Sequence, residues 1–200
     1  MSAAEATVPL VPRSVSRAFD RTVRWTLAVA LAVGSVAAIL HAQAFRQLEA
    51  RLAGEVTGLV FAREVRVMTY EPVLAFERVA GDDATWFALR ITPDCSALYF
   101  LVPLAIIAAF VLATGRSSVA RIVLATLGAG LFLELLNVVR VEVMVLSIVR
   151  WGAEVFQWVH DTLGSALMLG GLTVALVLFF RLGFFGRRGR RTRGARGEQP

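Results

Sequence analysis

The sequence is poor in cysteine and contains no lysine. Among its 200 residues there is one cysteine, Cys95, and all 21 basic side chains are arginine. A single cysteine excludes an intrachain disulfide, a CxxC redox pair and a zinc site built from several cysteines. Only 18% of the residues are charged, whereas 57% are hydrophobic and the mean hydropathy is +0.67. This composition is too apolar for an ordinary soluble domain and is typical of an integral membrane protein.

Four apolar segments are long enough, or nearly so, to cross a bilayer, which takes roughly 20 residues and at least about 17. They are residues 25–40, 96–114, 119–139 and 162–180. We find no defensible cleavage site after the first segment and interpret it as a retained anchor, not a removed signal. The sequence therefore predicts an all-α polytopic membrane protein with about four transmembrane helices.

Arginine is distributed unevenly among the segments that flank these spans. Both tails and the turn between the second and third spans together hold 13 arginines and three acidic residues, and the rest of the chain holds eight arginines and 12 acidic residues. Because arginine-rich segments stay on the cytoplasmic side, we expect the N-terminal tail (1–24) and a basic, disordered C-terminal tail (181–200) in the cytoplasm. The membrane domain (25–180), with its inserted loop (41–94), would lie in the plasma or inner membrane. The segment 140–161 would face the outside. This placement of charge favours contact with anionic lipid and not with nucleic acid.

The loop between the first two spans has its own pattern of secondary structure. Apolar residues at helical spacing predict a helix that continues from the first span, with the stripe Phe45, Leu48, Leu52, Val56 and Leu59. Residues 64–70, 73–79 and 85–91 are typical of short strands, and 81–83 of a turn. Pro72 indicates that the middle strand is an edge strand or begins after it. We expect a small extracytoplasmic insertion made of a helix and a β-hairpin or three-stranded sheet.

Cys95 stands at the boundary between this loop and the second span. The preceding Thr92, Pro93 and Asp94 suit a helix N-cap and the first two helical positions, which would place Cys95 in the first turn of the span. A helix N-terminus stabilises a thiolate, although Asp94 opposes this effect. The plain alternative, and the commoner fate of a lone cysteine, is an inert small residue at a membrane boundary.

Three polar residues close the third span. Glu134, Asn137 and Arg140 follow one another at spacings of three, so adjacent members lie on neighbouring faces of a helix. Such groups within two turns of a membrane helix usually face protein or a cavity. Two alternatives stay open: Arg140 snorkels to the interface, and Glu134 and Asn137 serve only to hold neighbouring spans together.

Both histidines lie at predicted outer ends of spans. His160 opens the fourth span with Asp161 as a candidate N-cap, and a headgroup-level position beside Trp158 is the plain alternative. His41 ends the first span, and we interpret it as interfacial. Since short spans joined by short turns form bundles, the outer ends should meet. A thiol, a histidine that takes its proton and an arginine that holds an oxyanion make a complete acyl-transfer site.

Three local patterns occur in the order Cys, Arg, His. A cysteine opens a span (Cys95, followed by Ser-Ala-Leu), an Asn-x-x-Arg closes one (Asn137 and Arg140), and a histidine opens the last span with glycine four residues on (His160 and Gly164). At these residues the sequence resembles the exosortase/archaeosortase family of membrane transpeptidases. The resemblance covers about residues 90–180.

This resemblance implies a cysteine protease or transpeptidase that needs no cofactor and no metal. Cys95 would attack a peptide carbonyl near the C-terminus of a secreted protein and form a thioester. His160 would act as general base and then as acid, and Arg140 would stabilise the oxyanion. The partner would be a C-terminal sorting segment, namely a short motif, a membrane helix and a basic tail, cleaved at the outer face.

Other interpretations remain open at this point. A non-enzymatic four-helix scaffold or partner subunit would leave Cys95 facing lipid without a titratable partner. A rhomboid-like serine site built from Ser165 and His160 is disfavoured, because the two residues lie five apart on one predicted helix. The stretch 141–158 should extend outward or bend onto the surface, since a membrane crossing would carry His160 to the inner side.

Overall fold

The computed structural model describes residues 13–61, 64–80 and 83–184. Helix α1 (Arg13–Leu40) is followed almost directly by α2 (Ala42–Phe61), and then by strands β1 (Val65–Val67), β2 (Val73–Ala80) and β3 (Asp83–Arg90). A 3₁₀ turn (Pro93–Cys95) leads into α3 (Leu98–Thr114) and α4 (Val119–Trp151). The chain returns through α5 (Ala153–Trp158), a π-helical turn (Val159–Leu163) and α6 (Gly164–Phe184).

Three helical segments are long and apolar enough to cross a membrane: Ala18–Leu40, Val119–Trp151 and Ala153–Phe184. Helix α3 is apolar throughout, but its 17 residues put it at the lower limit for a span. The chain is thus a mostly helical membrane protein with three candidate spans and a short apolar helix, where the sequence predicted about four spans. The assignment of sides stays a prediction, and residues 1–12 and 185–200 of the predicted tails lie outside the described residues.

Small residues bring the membrane helices close together. Helix α1 packs on α3, and α4 packs on α6 and also contacts α3. Ala108, Ala125 and Ala175 are fully buried among larger side chains such as Leu133 and Phe179. A Cβ added at Gly171 of α6 would lie only 2.1 Å from Leu136 Cδ2 on α4. Helix association in membranes depends on such close approach, because burial from lipid provides little driving force.

A second core lies between the sheet, α2 and the C-terminal third of α4. Leu74 and Phe76 of β2 meet Met144 and Val145 of α4, with Ala50 of α2 beside them. The ambiguous stretch 141–158 therefore extends α4 without a break and then turns back. The reversal occurs at Gly152, whose φ of 85° favours glycine.

The three strands form an antiparallel sheet in the order β1-β2-β3. β2 begins directly after Pro72, which confirms one of the two predictions made from that proline. The other reading, an edge strand, is wrong, because β2 is the central strand. Within the predicted turn at 81–83, residues 81 and 82 lie outside the described residues.

The predicted apolar stripe of α2 does not face the core. Leu48 is 52% exposed and Leu59 is 82% exposed. The buried face consists instead of small and polar residues, namely Glu49, Ala50, Ala53, Gly54 and Thr57. The reason is steric: a Cβ at Gly54 would lie 2.6 Å from Val67 Cγ2, so only a face of small residues lets the sheet pack this closely.

Candidate active site

The only thiol of the chain is paired with a histidine. Cys95 Sγ lies 2.9 Å from His160 Nε2. Cys95 is 3% exposed, whereas the His160 side chain is 22% exposed and packs against the Phe156 ring. His160 sits in the π-helical turn, a local widening of the helix that is frequent at functional sites. The sequence prediction that these two residues meet agrees with this geometry.

A carboxylate orients the histidine from its other side. His160 Nδ1 lies 2.9 Å from Asp161 Oδ1, and Gln157 Nε2 donates to Asp161 Oδ2 at 2.7 Å. Since a carboxylate only accepts hydrogen bonds, Nδ1 of the neutral ring carries the proton, and the lone pair of Nε2 faces the thiol. The predicted N-cap role of Asp161 is wrong, because the residue lies inside a continuous helical segment. It is the partner of His160 instead.

Cys95 is not in the first turn of α3, contrary to the sequence prediction. It ends the 3₁₀ turn, in which Thr92 makes no side-chain capping bond. Ser96 then adopts an extended conformation (φ −95°, ψ 134°), and α3 starts only at Leu98. The argument that the N-terminus of the span stabilises a thiolate therefore does not apply. The partner that can take the proton of the thiol is His160.

Arg140 is held against the segment that carries the thiol. Its Nη1 donates to the carbonyl oxygen of Asp94 at 2.8 Å, and Arg140 is 3% exposed, which excludes a side chain that snorkels to the surface. Its Nε is buried and has no hydrogen-bond partner among the described residues. A Cβ at Gly164 would lie 2.7 Å from that Nε, so α6 passes directly over the guanidinium because it has glycine here.

A cleft of about 390 Å³ reaches the guanidinium between α3 and α6. Its walls are mainly apolar and come from Pro93, Asp94, Tyr99, Phe100, Arg140, Ser165, Met168 and Leu169. Ser165 lines this cleft, but Nε2 of the only nearby histidine is turned to Cys95. Neither Cys95 nor His160 lines the cleft itself, but Asp94 and Arg140, which border the segment that carries the thiol, do.

Asn137 and Glu134, which precede Arg140 on α4, have different surroundings. Asn137 is 1% exposed, and its Nδ2 donates to Glu49 Oε1 at 3.0 Å. Glu134 is half-buried, and its Oε2 has no partner in the part of the chain that the structure describes. The sequence provided no signal for Glu49, which follows the exposed Leu48 on an amphipathic helix where acidic residues are common.

Burial raises the pKa of Glu49 to about 7. Its carboxyl group is therefore largely neutral at slightly acidic pH. Within residues 13–61, 64–80 and 83–184, no group of three or more His, Cys, Asp or Glu side chains is placed to hold a metal ion.

The sequence model of the transmembrane exosortase family matches residues 6–180 of the chain. The match extends from before α1 into α6 and includes the pair Cys95 and His160 as well as Arg140. No curated protein and no solved structure matches the chain.

Proposed function

The chain belongs to the transmembrane exosortase family, and from this premise we propose that it is a membrane-embedded cysteine transpeptidase or protease whose nucleophile is Cys95. Family membership supports transpeptidase-like activity in general. The roles of individual residues rest on one observation, the 2.9 Å contact between Cys95 Sγ and His160 Nε2. A thiol paired with a histidine that a carboxylate orients is the arrangement that activates a cysteine nucleophile.

In the first half of the reaction, His160 Nε2 takes the proton of the Cys95 thiol. The sulfur attacks the carbonyl carbon of a peptide bond, a carbon–sulfur bond forms, and the electron pair of the carbonyl moves to its oxygen. Arg140 lines the cleft and binds the Asp94 carbonyl next to the thiol, so its guanidinium is suited to stabilise that oxyanion. Asp161 stabilises the imidazolium that forms at His160.

In the second half, the tetrahedral intermediate collapses and the carbon–nitrogen bond breaks. His160 returns the proton to the leaving amine, and a thioester on Cys95 remains. An acceptor amine or water then attacks the thioester with His160 as base, and the thiol is regenerated. The first acceptor gives transpeptidation and the second gives hydrolysis.

The substrate that we propose is the C-terminal sorting segment of a secreted protein, at the extracytoplasmic face of the plasma or inner membrane. The mainly apolar cleft between α3 and α6 suits an apolar segment that approaches from the bilayer. The distribution of arginine supports an outward-facing site, because the C-terminal end of α6, which precedes the basic tail in the sequence, and the turn between α3 and α4 lie at the opposite ends of the helices from Cys95.

Replacement of the nucleophile in the native host tests this proposal. Wild type, Cys95→Ala and His160→Ala should be expressed at equal levels, and the C-termini of exported membrane-anchored proteins compared by mass spectrometry. We expect proteins cut near an apolar C-terminal segment in the wild type and full-length proteins in both variants. His41→Ala, which replaces the other histidine of the chain, is the matched control and should process normally.

The same comparison tests the scaffold alternative. A scaffold requires the protein but not its thiol, so processing in Cys95→Ala at the wild-type level would contradict the enzymatic proposal. The buried thiol beside His160 already differs from the lipid-facing cysteine that the scaffold interpretation calls for.

A further inference from the structure

Glu49 is a buried carboxylate that the proposed reaction does not use. It lies on α2 and is 2% exposed, whereas Glu55, six residues later on the same helix, is exposed. A carboxyl group is costly to bury unless hydrogen bonds compensate for the lost water. Its contacts should therefore show what the group does.

Oxygen Oε1 of Glu49 accepts hydrogen bonds from two different elements. The backbone N–H of Ala97 donates at 2.7 Å, and Nδ2 of Asn137 donates at 3.0 Å. Ala97 follows Cys95 by two residues, and Asn137 precedes Arg140 by about one helical turn. One oxygen atom thus connects the chain just beyond the thiol to the helix that carries the guanidinium.

The segment around Cys95 has few other anchors. Within the 3₁₀ turn, Cys95 N–H donates to the Thr92 carbonyl at 3.0 Å, and Ser96 N–H donates to the Pro93 carbonyl at 3.1 Å. The Asp94 carbonyl before the thiol is held by Arg140, and Ala97 N–H after it is held by Glu49. The nucleophile is therefore bracketed by two contacts from outside its own turn.

We propose that Glu49 is a positioning residue of the cysteine site: by binding Ala97 N–H and the Asn137 amide together, its carboxyl group fixes the turn that carries Cys95 against the helix that carries Arg140. The functional part of this inference rests on the proposed role of Cys95 as nucleophile. The positional part rests on the contacts alone.

The surroundings of the carboxyl group are consistent with this task. Burial has the largest effect on the pKa of Glu49 and raises it, and the nearby Glu134 of α4 raises this pKa further. Three groups lower the pKa: the Ser96 hydroxyl, the Ala97 N–H and Arg46 of α2. Glu49 Oε2 and Asn137 Oδ1 both lack a partner among the described residues. A proton on the carboxyl group would supply a donor where two buried acceptors have none.

The single cysteine makes a direct test possible, because a thiol reagent can label only Cys95. The rate of N-ethylmaleimide labelling should be measured on the full-length protein in detergent at about pH 9.5, where ordinary thiols are ionised and access to the buried sulfur limits the rate. Glu49→Asp shortens the side chain by one methylene, so that it cannot reach both donors. We expect labelling about tenfold faster or more, because the turn opens more often.

Glu49→Gln is the conservative variant, and it keeps an oxygen that can accept both bonds. It should label within about threefold of the wild type, since an amide of equal size keeps both hydrogen bonds to its oxygen. Rescue by glutamine shows that the negative charge of the side chain is not required to hold the turn.

Thr57→Ala is the matched control for general loosening of α2. Thr57 Oγ1 donates to Glu142 Oε1 at 2.8 Å, so this pair is a second polar link between α2 and α4 that does not touch the cysteine turn. Thr57→Ala should lower the melting temperature and leave Cys95 labelling unchanged. Equal acceleration in Thr57→Ala and Glu49→Asp, or wild-type labelling in Glu49→Asp, would overturn the inference.

A different measurement separates this inference from the proposed function. If His160→Ala leaves processing intact while Glu49→Asp still accelerates labelling, the function fails and the positional role of Glu49 stands. If His160→Ala abolishes processing while Glu49→Asp labels like the wild type, the function stands and the inference fails.

Discussion

Cys95 and His160 are 65 residues apart in the sequence, and their side chains meet at 2.9 Å. Two local departures from a regular helix accompany this contact. The reversal at Gly152 sends the chain back along α4, and the π-helical turn at Val159–Leu163 sets the direction of the His160 ring. The third member of the group, Asp161, is the next residue in the chain, so one turn supplies both the base and the group that orients it.

Asp161→Asn should impair the histidine without disturbing the fold. Asparagine removes the charge and can present an N–H to the ring, which favours the tautomer with its proton on Nε2, facing the thiol. We expect labelling of Cys95 by iodoacetamide at about pH 7 to slow about tenfold, with a parallel loss of processing. The decrease in the labelling rate should be smaller than the decrease that loss of a buried carboxylate would cause, because the Asp161 side chain is 57% exposed.

The control for this experiment is Glu154→Gln, which removes an exposed acid from the neighbouring α5. It should label and process like the wild type. If Glu154→Gln slowed labelling as much as Asp161→Asn, the effect would come from the general loss of negative charge and not from the contact with His160 Nδ1.

Arg140→Lys should keep the positive charge and lose the function. Lysine presents a point charge without the planar fork, so it cannot bind the Asp94 carbonyl and also direct an N–H at the cleft. We expect the rate of substrate processing to fall about 100-fold, as for loss of one oxyanion donor. Arg150→Lys, on the exposed side of the same helix, should have no effect. Normal processing in Arg140→Lys would show that charge alone is sufficient.

Arg140 of α4 and His160 of the π-helical turn before α6 could be found from the sequence because each borders or interrupts an apolar run. A charged or titratable side chain at the end of a span is costly and therefore stands out, as Arg140 and His160 do. The short strands could be predicted for a related reason, since alternation and turn residues are local signals. The prediction of the family, which the family match confirms, rests on these local features.

Features that depend on tertiary contacts could not be predicted in the same way. The sequence before Cys95 (Thr92, Pro93 and Asp94) suits the start of an α-helix as well as a 3₁₀ turn. The structure has the 3₁₀ turn, and Arg140 and Glu49 bind the backbone on either side of Cys95. Likewise, α2 carries an apolar face and a small-residue face. The sheet packs on the small-residue face because leucine side chains would keep it too far away.

Gly164→Ala should displace the guanidinium of Arg140. The added Cβ would lie 2.7 Å from Arg140 Nε, and a shift of the side chain to relieve this contact would disturb its hydrogen bond to the Asp94 carbonyl. We expect the processing rate to fall about tenfold or more, since a shift of one oxyanion donor is enough to weaken transition-state binding. The melting temperature should change little, because alanine is a better helix former than glycine by about 1 kcal/mol.

Gly170→Ala is the matched control on the same helix. A Cβ at Gly170 meets no atom within 4 Å, so the variant gains helix propensity without a clash. It should process normally and melt at the wild-type temperature or slightly above it. A loss of activity in Gly170→Ala equal to that in Gly164→Ala would point to the flexibility of α6 and away from Arg140.

Glu49 should make the stability of the protein depend on pH. Burial raises its pKa from 4.5 to about 7, so the folded protein binds this proton more tightly than the unfolded chain does. The resulting stabilisation is complete below about pH 4.5 and is lost as the pH rises through about 7. A rise from 4.5 to about 7 corresponds to on the order of 3 kcal/mol. The wild type should therefore melt at a lower temperature at about pH 8 than at about pH 5.

Glu49→Gln isolates this contribution, because glutamine does not titrate. Its melting temperature, measured by thermal unfolding in one detergent across the same pH range, should vary less than that of the wild type. Glu55→Gln replaces an exposed acid on the same helix and should retain the wild-type dependence. If wild type and Glu49→Gln showed the same change between about pH 5 and about pH 8, another group would be responsible. Glu49 would then be ionised in the fold at both pH values, with its charge compensated by the Ala97 and Asn137 donors.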